Sequence, residues 1–215
     1  MNPNEVENFL RERITWLGQS AIRFVTGSGK VVYIDPFRVP KNAPPADYLF
    51  LTHSHGDHYN PKVVKTLTRP GTRIITPEEM SAIATDALAV GAEAQIGELM
   101  VKTFPAYNLR NFPHPRAKNW VGYLIGFDGF TLYHGGDTDS PAEIAGMRPD
   151  AALLPIAGFM TFGIEQGAKA AEGVGARVTV PIHYGLIPGT AKNGEKFLKA
   201  YRGKAMLFEN AWNRD

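Results

Sequence analysis

Thr52-His53-Ser54-His55-Gly56-Asp57-His58-Tyr59 places three imidazoles and a carboxylate within the six positions 53 to 58. Histidine and aspartate are costly to bury without partners, so packing does not explain such a density. Imidazole is the commonest metal ligand, and the ordered spacing reads as a metal site rather than a polar surface loop. Upstream, Asp47-Tyr48-Leu49-Phe50-Leu51-Thr52 is apolar and aromatic, a short buried strand that follows the proline-rich segment Val39 to Pro45. Downstream, Pro61 stands at a first helical position with Asn60 before it as N-cap. The histidines therefore occupy a strand-to-helix loop, a usual place for chemistry in an α/β protein. On an extended backbone His53 and His55 share one face, and Gly56 lets the chain turn so that Asp57 and His58 face a second position. One motif can thereby serve two ions.

The pattern His53-x-His55-x-Asp57-His58 resembles the signature of the metallo-β-lactamase superfamily. That resemblance implies a third His on the first metal, a carboxylate bridging both, and a last His on the second metal, each at the end of a later strand. His114 in Pro113-His114-Pro115, Asp137 in His134-Gly135-Gly136-Asp137 and His183 in Pro181-Ile182-His183-Tyr184-Gly185 occur in that order. Asn108 is the alternative to His114, because some relatives carry their third His nearer the strand end. More narrowly, Pro105-Ala106-Tyr107-Asn108, His114-Pro115, Val121-Gly122-Tyr123, Gly136-Asp137-Thr138-Asp139 and Leu153-Leu154-Pro155 resemble hydrolases related to the ascorbate-6-phosphate lactonases. The likeness runs from Trp16-Leu17-Gly18 to the His183 region, and it departs at Gln19, where relatives often carry His.

Each further residue has a structural reading beside the functional one. Asp137 follows two glycines, which let its backbone approach an ion, although aspartate in such a context also serves as a turn or helix cap. Asp139, before Ser140 and Pro141, is the more natural N-cap. Asp35 resembles the family's aspartate that orients a ligand histidine, or it is a plain strand-terminal turn residue. His134 either supports the site or is a buried histidine making one hydrogen bond. Tyr184, beside His183, either donates a hydrogen bond to a developing oxyanion or packs.

At 215 residues the chain is long enough for a sizeable core, and no linker, repeat or low-complexity tract divides positions 1 to 215, so one hydrolase domain is expected. A formal net charge of +2 without a basic stripe argues against nucleic acid as partner. The absence of cysteine excludes disulfides and thiolate ligands. The start, Met1 to Arg13, lacks the apolar core of a signal peptide and reads as a short helix; no run is long enough to span a bilayer, so a cytoplasmic protein without a membrane partner is expected.

Periodicity predicts strands over 15 to 26 and 31 to 35 as a hairpin, then 48 to 52, 73 to 76 and 97 to 104. A second series is predicted over 120 to 127, 130 to 134, 151 to 156, 177 to 182 and 204 to 208, with helices over 77 to 88, 141 to 146, 165 to 173 and 193 to 201. The pattern alone allows a three-layer α/β protein; the family resemblance implies the four-layer αββα sandwich.

The expected ligand set is His53, His55 and His114 for one ion, Asp57, His58 and His183 for the other, with Asp137 shared. Two divalent cations about 3.5–4 Å apart would hold a water between them and yield hydroxide near neutral pH, with Asp57 and Asp137 central to the chemistry. Zinc is the default, and manganese or iron suit the same thiolate-free donors. His55 stands where the oxygen-reducing diiron proteins of this fold carry Glu, which argues against that role. The activity expected is hydrolysis of a small ester-like substrate, a lactone or a phosphodiester. A nuclease and a non-catalytic metal-binding protein are the alternatives. Arg110, Arg116 and Lys118 bracket His114 and predict an anionic substrate. A homo-oligomer is compatible with all of this.

Overall fold

The computed structural model describes residues 1–110, 112–186 and 190–211, so Asn111 of the expected pocket loop lies outside the described residues. Six strands form the first sheet in chain order: β1 (Ile14–Gly18), β2 (Ala21–Val25), β3 (Val31–Ile34), β4 (Tyr48–Phe50), β5 (Arg73–Pro77) and β6 (Asp86–Leu88). Pairing is antiparallel from β1 to β3 and parallel from β3 to β6. Six more form the second sheet, also in chain order: β7 (Glu93–Ile96), β8 (Leu99–Pro105), β9 (Val121–Phe127), β10 (Phe130–His134), β11 (Ala151–Pro155) and β12 (Val178–Ile182). Here β7 to β10 pair antiparallel and β10 to β12 parallel.

Alternation along the strands assigns the layers. Val32 and Ile34, with Tyr48 and Phe50, belong to the core between the sheets, whereas Tyr33, Leu49 and Leu51 face the other way with Val64 and Leu67 of α2 (Pro61–Leu67). Aromatic rings join the sheets: Phe24 stacks on Phe127 at 4.4 Å, and Phe50 meets Tyr123 edge-on at 5.1 Å. Full burial of each such ring contributes roughly 1.5–3 kcal/mol. On the far side, α3 (Ile164–Val174) packs on β11 and α4 (Lys192–Ala200) on β12, completing the αββα order. The N-terminal α1 (Pro3–Arg13) begins in a capping box between Asn2 and Glu5 and buries Val6 and Leu10, one turn apart on one face. A one-residue slip of β4 against β3 would exchange Leu49 and Phe50 between layers, and it would displace the histidine loop that follows.

Several expected elements differ. The helix expected over 77 to 88 is a 3-10 segment, Glu78–Ile83, followed by β6. Thr85 exchanges hydrogen bonds with the Ile74 backbone and Asp86 pairs with Arg73, which draws that stretch into the sheet. The strand over 15 to 26 is divided at Gly18-Gln19-Ser20, where Gly18 and Gln19 take left-handed φ of +93° and +51°. A strand preceding the one at 97 to 104, β7, was not expected, because Glu93-Ala94-Gln95-Ile96 carries weak strand propensity. The helix over 141 to 146 shortens to a single 3-10 turn, Pro141–Glu143, with Ser140 rather than Asp139 in the capping position. Residues 204 to 208 make no strand; Ala205 forms an isolated bridge with Thr179.

Candidate metal centre

All the expected ligands lie beyond strand ends that point the same way. The loop after β4 brings His53, His55, Asp57 and His58. The loop after β8 brings His114, that after β10 brings Asp137, and that after β12 brings His183. Carboxyl ends of strands are the usual place for ligands in α/β sheets. Backbone constraints fix the approach: Gly136 has φ +59° and a Cβ there would meet Thr52 at 3.1 Å, so only glycine lets the Asp137 loop lie against the first sheet.

The side chains gather into three overlapping groups: His53, His55 and His114; His53, His58 and Asp137; and Asp57, His58 and His183. Within each group, one donor atom per residue lies within 4.8 Å of the others. His53 Nε2 is 3.2 Å from His114 Nε2; Asp137 lies between the sets, with Oδ1 3.2 Å from His58 Nε2 and Oδ2 3.2 Å from His183 Nε2 and 3.6 Å from His114 Nε2. Asp57 Oδ2 is 3.4 Å from His183 Nε2. Donors on a tetrahedron with bonds of about 2.0–2.1 Å are separated by roughly 3.3 Å; the pairs named above lie at 3.2 to 3.6 Å, and Asp57 Oδ2 is 3.9 Å from His58 Nε2. His58 Nε2, His183 Nε2 and both oxygens of Asp137 are buried without a hydrogen-bond partner. Such atoms are costly unless a further group meets them, and a cation shared by imidazoles and carboxylate would do so. Five imidazoles and two carboxylates fit zinc, manganese or iron.

A layer of polar groups behind the cluster sets which ring nitrogen faces inward. Asp35, fully buried with φ +50°, accepts from Thr52 N–H at 2.8 Å through Oδ1, and from the Thr52 hydroxyl at 2.7 Å and His58 Nδ1 at 2.8 Å through Oδ2. The Thr52 hydroxyl, having donated to Asp35, can only accept from His53 Nδ1, 3.0 Å away. Asp35 thus presents Nε2 of a histidine from each set, directly for His58 and through Thr52 for His53. Asn108 does not stand in the cluster. Its Oδ1 accepts from His114 Nδ1 at 3.1 Å and from His114 N–H at 3.3 Å, while Nδ2 donates to Met160 O. It is His114 that meets His53.

Electrostatics separate the two sets. Burial holds His53 well below the ordinary imidazole value of 6.5 and His114 at about 4, so these rings are neutral ligands. Burial also opposes charge on His58 and His183, but Asp137 outweighs it in both, with Asp35 helping at His58; His58 stands well above 6.5 and His183 is raised to about 9. For Asp137 burial favours the neutral acid, yet His183 and His58 hold it well below the carboxylate range, and Asp57 against burial falls to about 2 beside His183.

Other expected residues fall elsewhere. The Tyr184 ring packs 5.1 Å from Trp16, and its hydroxyl lies where a side chain on Gly194 of α4 would be, so the oxyanion role expected for it has no support in the geometry. His134 lies outside the cluster: Nε2 donates to Ser20 O at 2.7 Å and Nδ1 accepts from Gly136 N–H at 3.2 Å. Asp139 accepts from Leu109 N–H at 2.6 Å and pins the His114 loop. Trp120, unnoticed in the sequence, lies 4.8 to 5.2 Å from His53, His55 and His114 and is anchored by its indole N–H on Glu79. Its only sequence signal was an aromatic at the start of a strand. The partly exposed His55 and Asp57 mark the side open to solvent.

A sequence model described as the beta-lactamase superfamily domain matches residues 13–183. The chain is 35% identical over 219 residues to a UPF0173 metal-dependent hydrolase of Archaeoglobus fulgidus, covering 92% of this chain and 94% of that one. It is 31% identical over 217 residues to a UPF0173 metal-dependent hydrolase of Pyrococcus furiosus, covering 91% and 94%. Among solved structures it is similar to Igni18, a metallo hydrolase from Ignicoccus hospitalis, with TM-score 0.75 and 25% identity over 92% of this chain and 95% of that one.

Proposed function

Because the chain belongs to the beta-lactamase superfamily and is a metal-dependent hydrolase, we propose that it uses two divalent ions to cleave a small, anionic, ester-like substrate, a lactone or a phosphodiester. The observation that carries the dinuclear reading is the set of orphaned atoms at Asp137, His58 and His183, flanked on the other side by the three neutral nitrogens of His53, His55 and His114. When bound, the ions would supply Lewis acidity and bring the pKa of a water held between them toward neutrality. His53, His55 and His114 would hold one, Asp57, His58 and His183 the other, and Asp137 would face both. Asp35, Thr52 and Asn108 keep the imidazoles of His58, His53 and His114, respectively, turned with Nε2 inward, and Trp120 packs against the first set.

The cations near His114 support an anionic substrate. Arg116 pairs with Glu143 at 3.4 Å and Lys118 with Glu79 at 3.3 Å, so Arg110 is the cation of the three best placed for a ligand. It lines a cavity of about 300 Å³ with Asn108, Phe112, Asp139, Phe159 and Thr161. Phe112 and Phe159 are about 72% and 67% exposed there, which suits a substrate whose anionic group lies beside an apolar one. No helix among the described residues is long and apolar enough to cross a membrane. The test is hydrolysis of a panel of lactones and phosphodiesters, with and without carboxylate or phosphate groups, by zinc- or manganese-loaded protein. Turnover of such a substrate that chelation abolishes is expected; the absence of any ester hydrolysis by fully loaded protein would reject the substrate class.

A further inference from the structure

We propose that Gln19 is a positioning residue for the second ion, setting His183 and Asp57 through its carboxamide; this rests on the dinuclear reading above. Gln19 is buried in the turn between β1 and β2, and its Nε2 lies 3.4 Å from both Asp57 Oδ2 and His183 Nδ1. Gln19 and His183 both hold left-handed backbones, φ +51° and +56°, which side chains other than glycine rarely adopt. The two are joined: His183 N–H donates to Gln19 O at 2.9 Å, and the same carbonyl accepts from Trp16 Nε1 at 2.8 Å. The turn of the first sheet therefore carries the end of β12 in the second. Strain maintained at two facing residues, where the surroundings over-determine it, is a mark of a functional constraint.

The carboxamide has a specific task there. His183 turns Nε2 toward Asp137 and Asp57, so an ion at that place takes the Nε2 lone pair and leaves the ring proton on Nδ1. Nδ1–H then needs an acceptor. Gln19 Oε1 is buried with no hydrogen-bond partner, and a half-turn of the amide brings it to the position beside Nδ1 now held by Nε2.

Gln19→Met keeps a side chain of similar length while removing both polar atoms, and Gln19→Glu keeps an acceptor for Nδ1–H. Stepwise zinc affinities would be measured by competition with a chromophoric chelator, cobalt(II) absorption would report each site, and urea unfolding would be followed in chelated protein. The expected result is loss of about 10- to 100-fold in affinity for the second ion in Gln19→Met, with the first ion and chelated stability unchanged. Gln19→Glu should retain most of the parental affinity. Parental affinities in Gln19→Met, equal weakening of both ions with lower chelated stability, or a Glu variant as weak as Met would each overturn the proposal. If Gln19→Met does not fold, Gln19→Glu decides alone: a retained second ion supports the acceptor role and a lost one overturns it. A parent protein that binds a single ion would reject the dinuclear reading itself and this inference with it.

Discussion

Asp35→Asn should weaken both metal sites at once, although Asp35 would touch neither ion. Asparagine matches the shape of aspartate and tolerates the φ of +50° at this position, so the substitution isolates charge and acceptor number. One oxygen still accepts from Thr52 N–H, but an NH2 replaces the oxygen that takes both the Thr52 hydroxyl at 2.7 Å and His58 Nδ1 at 2.8 Å. Removing one partner of a buried charged pair costs about 3–5 kcal/mol, and a single hydrogen bond to a charged group about 1.5–3 kcal/mol. Chelated Asp35→Asn is therefore expected to lose about 3–5 kcal/mol of stability near neutral pH, read from urea midpoints at constant m. The Thr52 hydroxyl would turn to accept from the new NH2 and so donate toward His53 Nδ1, which moves the His53 proton to Nε2, the atom 3.2 Å from His114 Nε2. Both zinc affinities should then fall about 10- to 100-fold in a chelator competition. If only the second ion weakens, the Thr52 arm is wrong; if stability falls while both affinities hold, Asp35 is a packing residue and the orienting chain is rejected.

The ion-free protein should be most stable near pH 6.5. His183, raised to about 9, contributes stability that is complete below 6.5 and lost as pH rises from there through 9, whereas His114, lowered to about 4, stays neutral in the fold while the unfolded chain gains its proton, so stability is lost as pH falls from 6.5 to 4. Urea midpoints of chelated protein at pH 4.5, 6.5 and 9 test this, and a monotonic trend would contradict it. Metal analysis should find close to two divalent ions per chain, and Asp137→Ala should reduce both metal content and turnover far more than Asp139→Ala, whose carboxylate accepts from Leu109 N–H outside the cluster; equal losses would remove the shared position of Asp137. Gly122→Ala should cost about 1–3 kcal/mol, because its Cβ would lie 2.8 Å from His134 O and 2.9 Å from Tyr133 Oη in a buried strand; an unchanged urea midpoint would mean that the strand shifts freely.

How far the sequence reached depended on whether the information was local. His53 to His58 follow a strand whose alternation is visible in Tyr48 to Leu51, and Asn60-Pro61 marks the helix after it, so the loop and its ligands were legible together. Where local chemistry competes with sheet pairing, the reading failed. Glu78 to Leu88 has helical composition, but parallel pairing with β5 and the Arg73–Asp86 pair are decided 11 to 13 residues away. For Tyr184 the sequence leaves an oxyanion role and packing both open; the left-handed φ of +56° at His183 breaks the regular course of the strand, and Gly194, ten residues on, leaves the space that the Tyr184 hydroxyl occupies.

The supporting residues were less legible than the ligands for a related reason. Thr52, Asn108, Trp120 and Gln19 act on histidines through contacts that span 1, 6, 67 and 164 positions, respectively. Of these, only the first two can be sensed from neighbouring sequence, and neither threonine nor asparagine announces a partner. The ligands themselves divide between the sheets: His53, His55, Asp57 and His58 come from the first, and His114, Asp137 and His183 from the second. Each proposed ion would draw ligands from both, so that loading the centre would also tie together two layers whose shared core includes Phe24, Phe50, Tyr123 and Phe127. Binding free energy gained by such an ion is folding free energy, because the unfolded chain offers no preformed site. The same contacts explain why Gln19 and His183, one from each sheet, can be kept in unfavourable backbone conformations: the docking of the sheets outweighs the strain, and the strained turns bring the donors together at the open end of the sandwich.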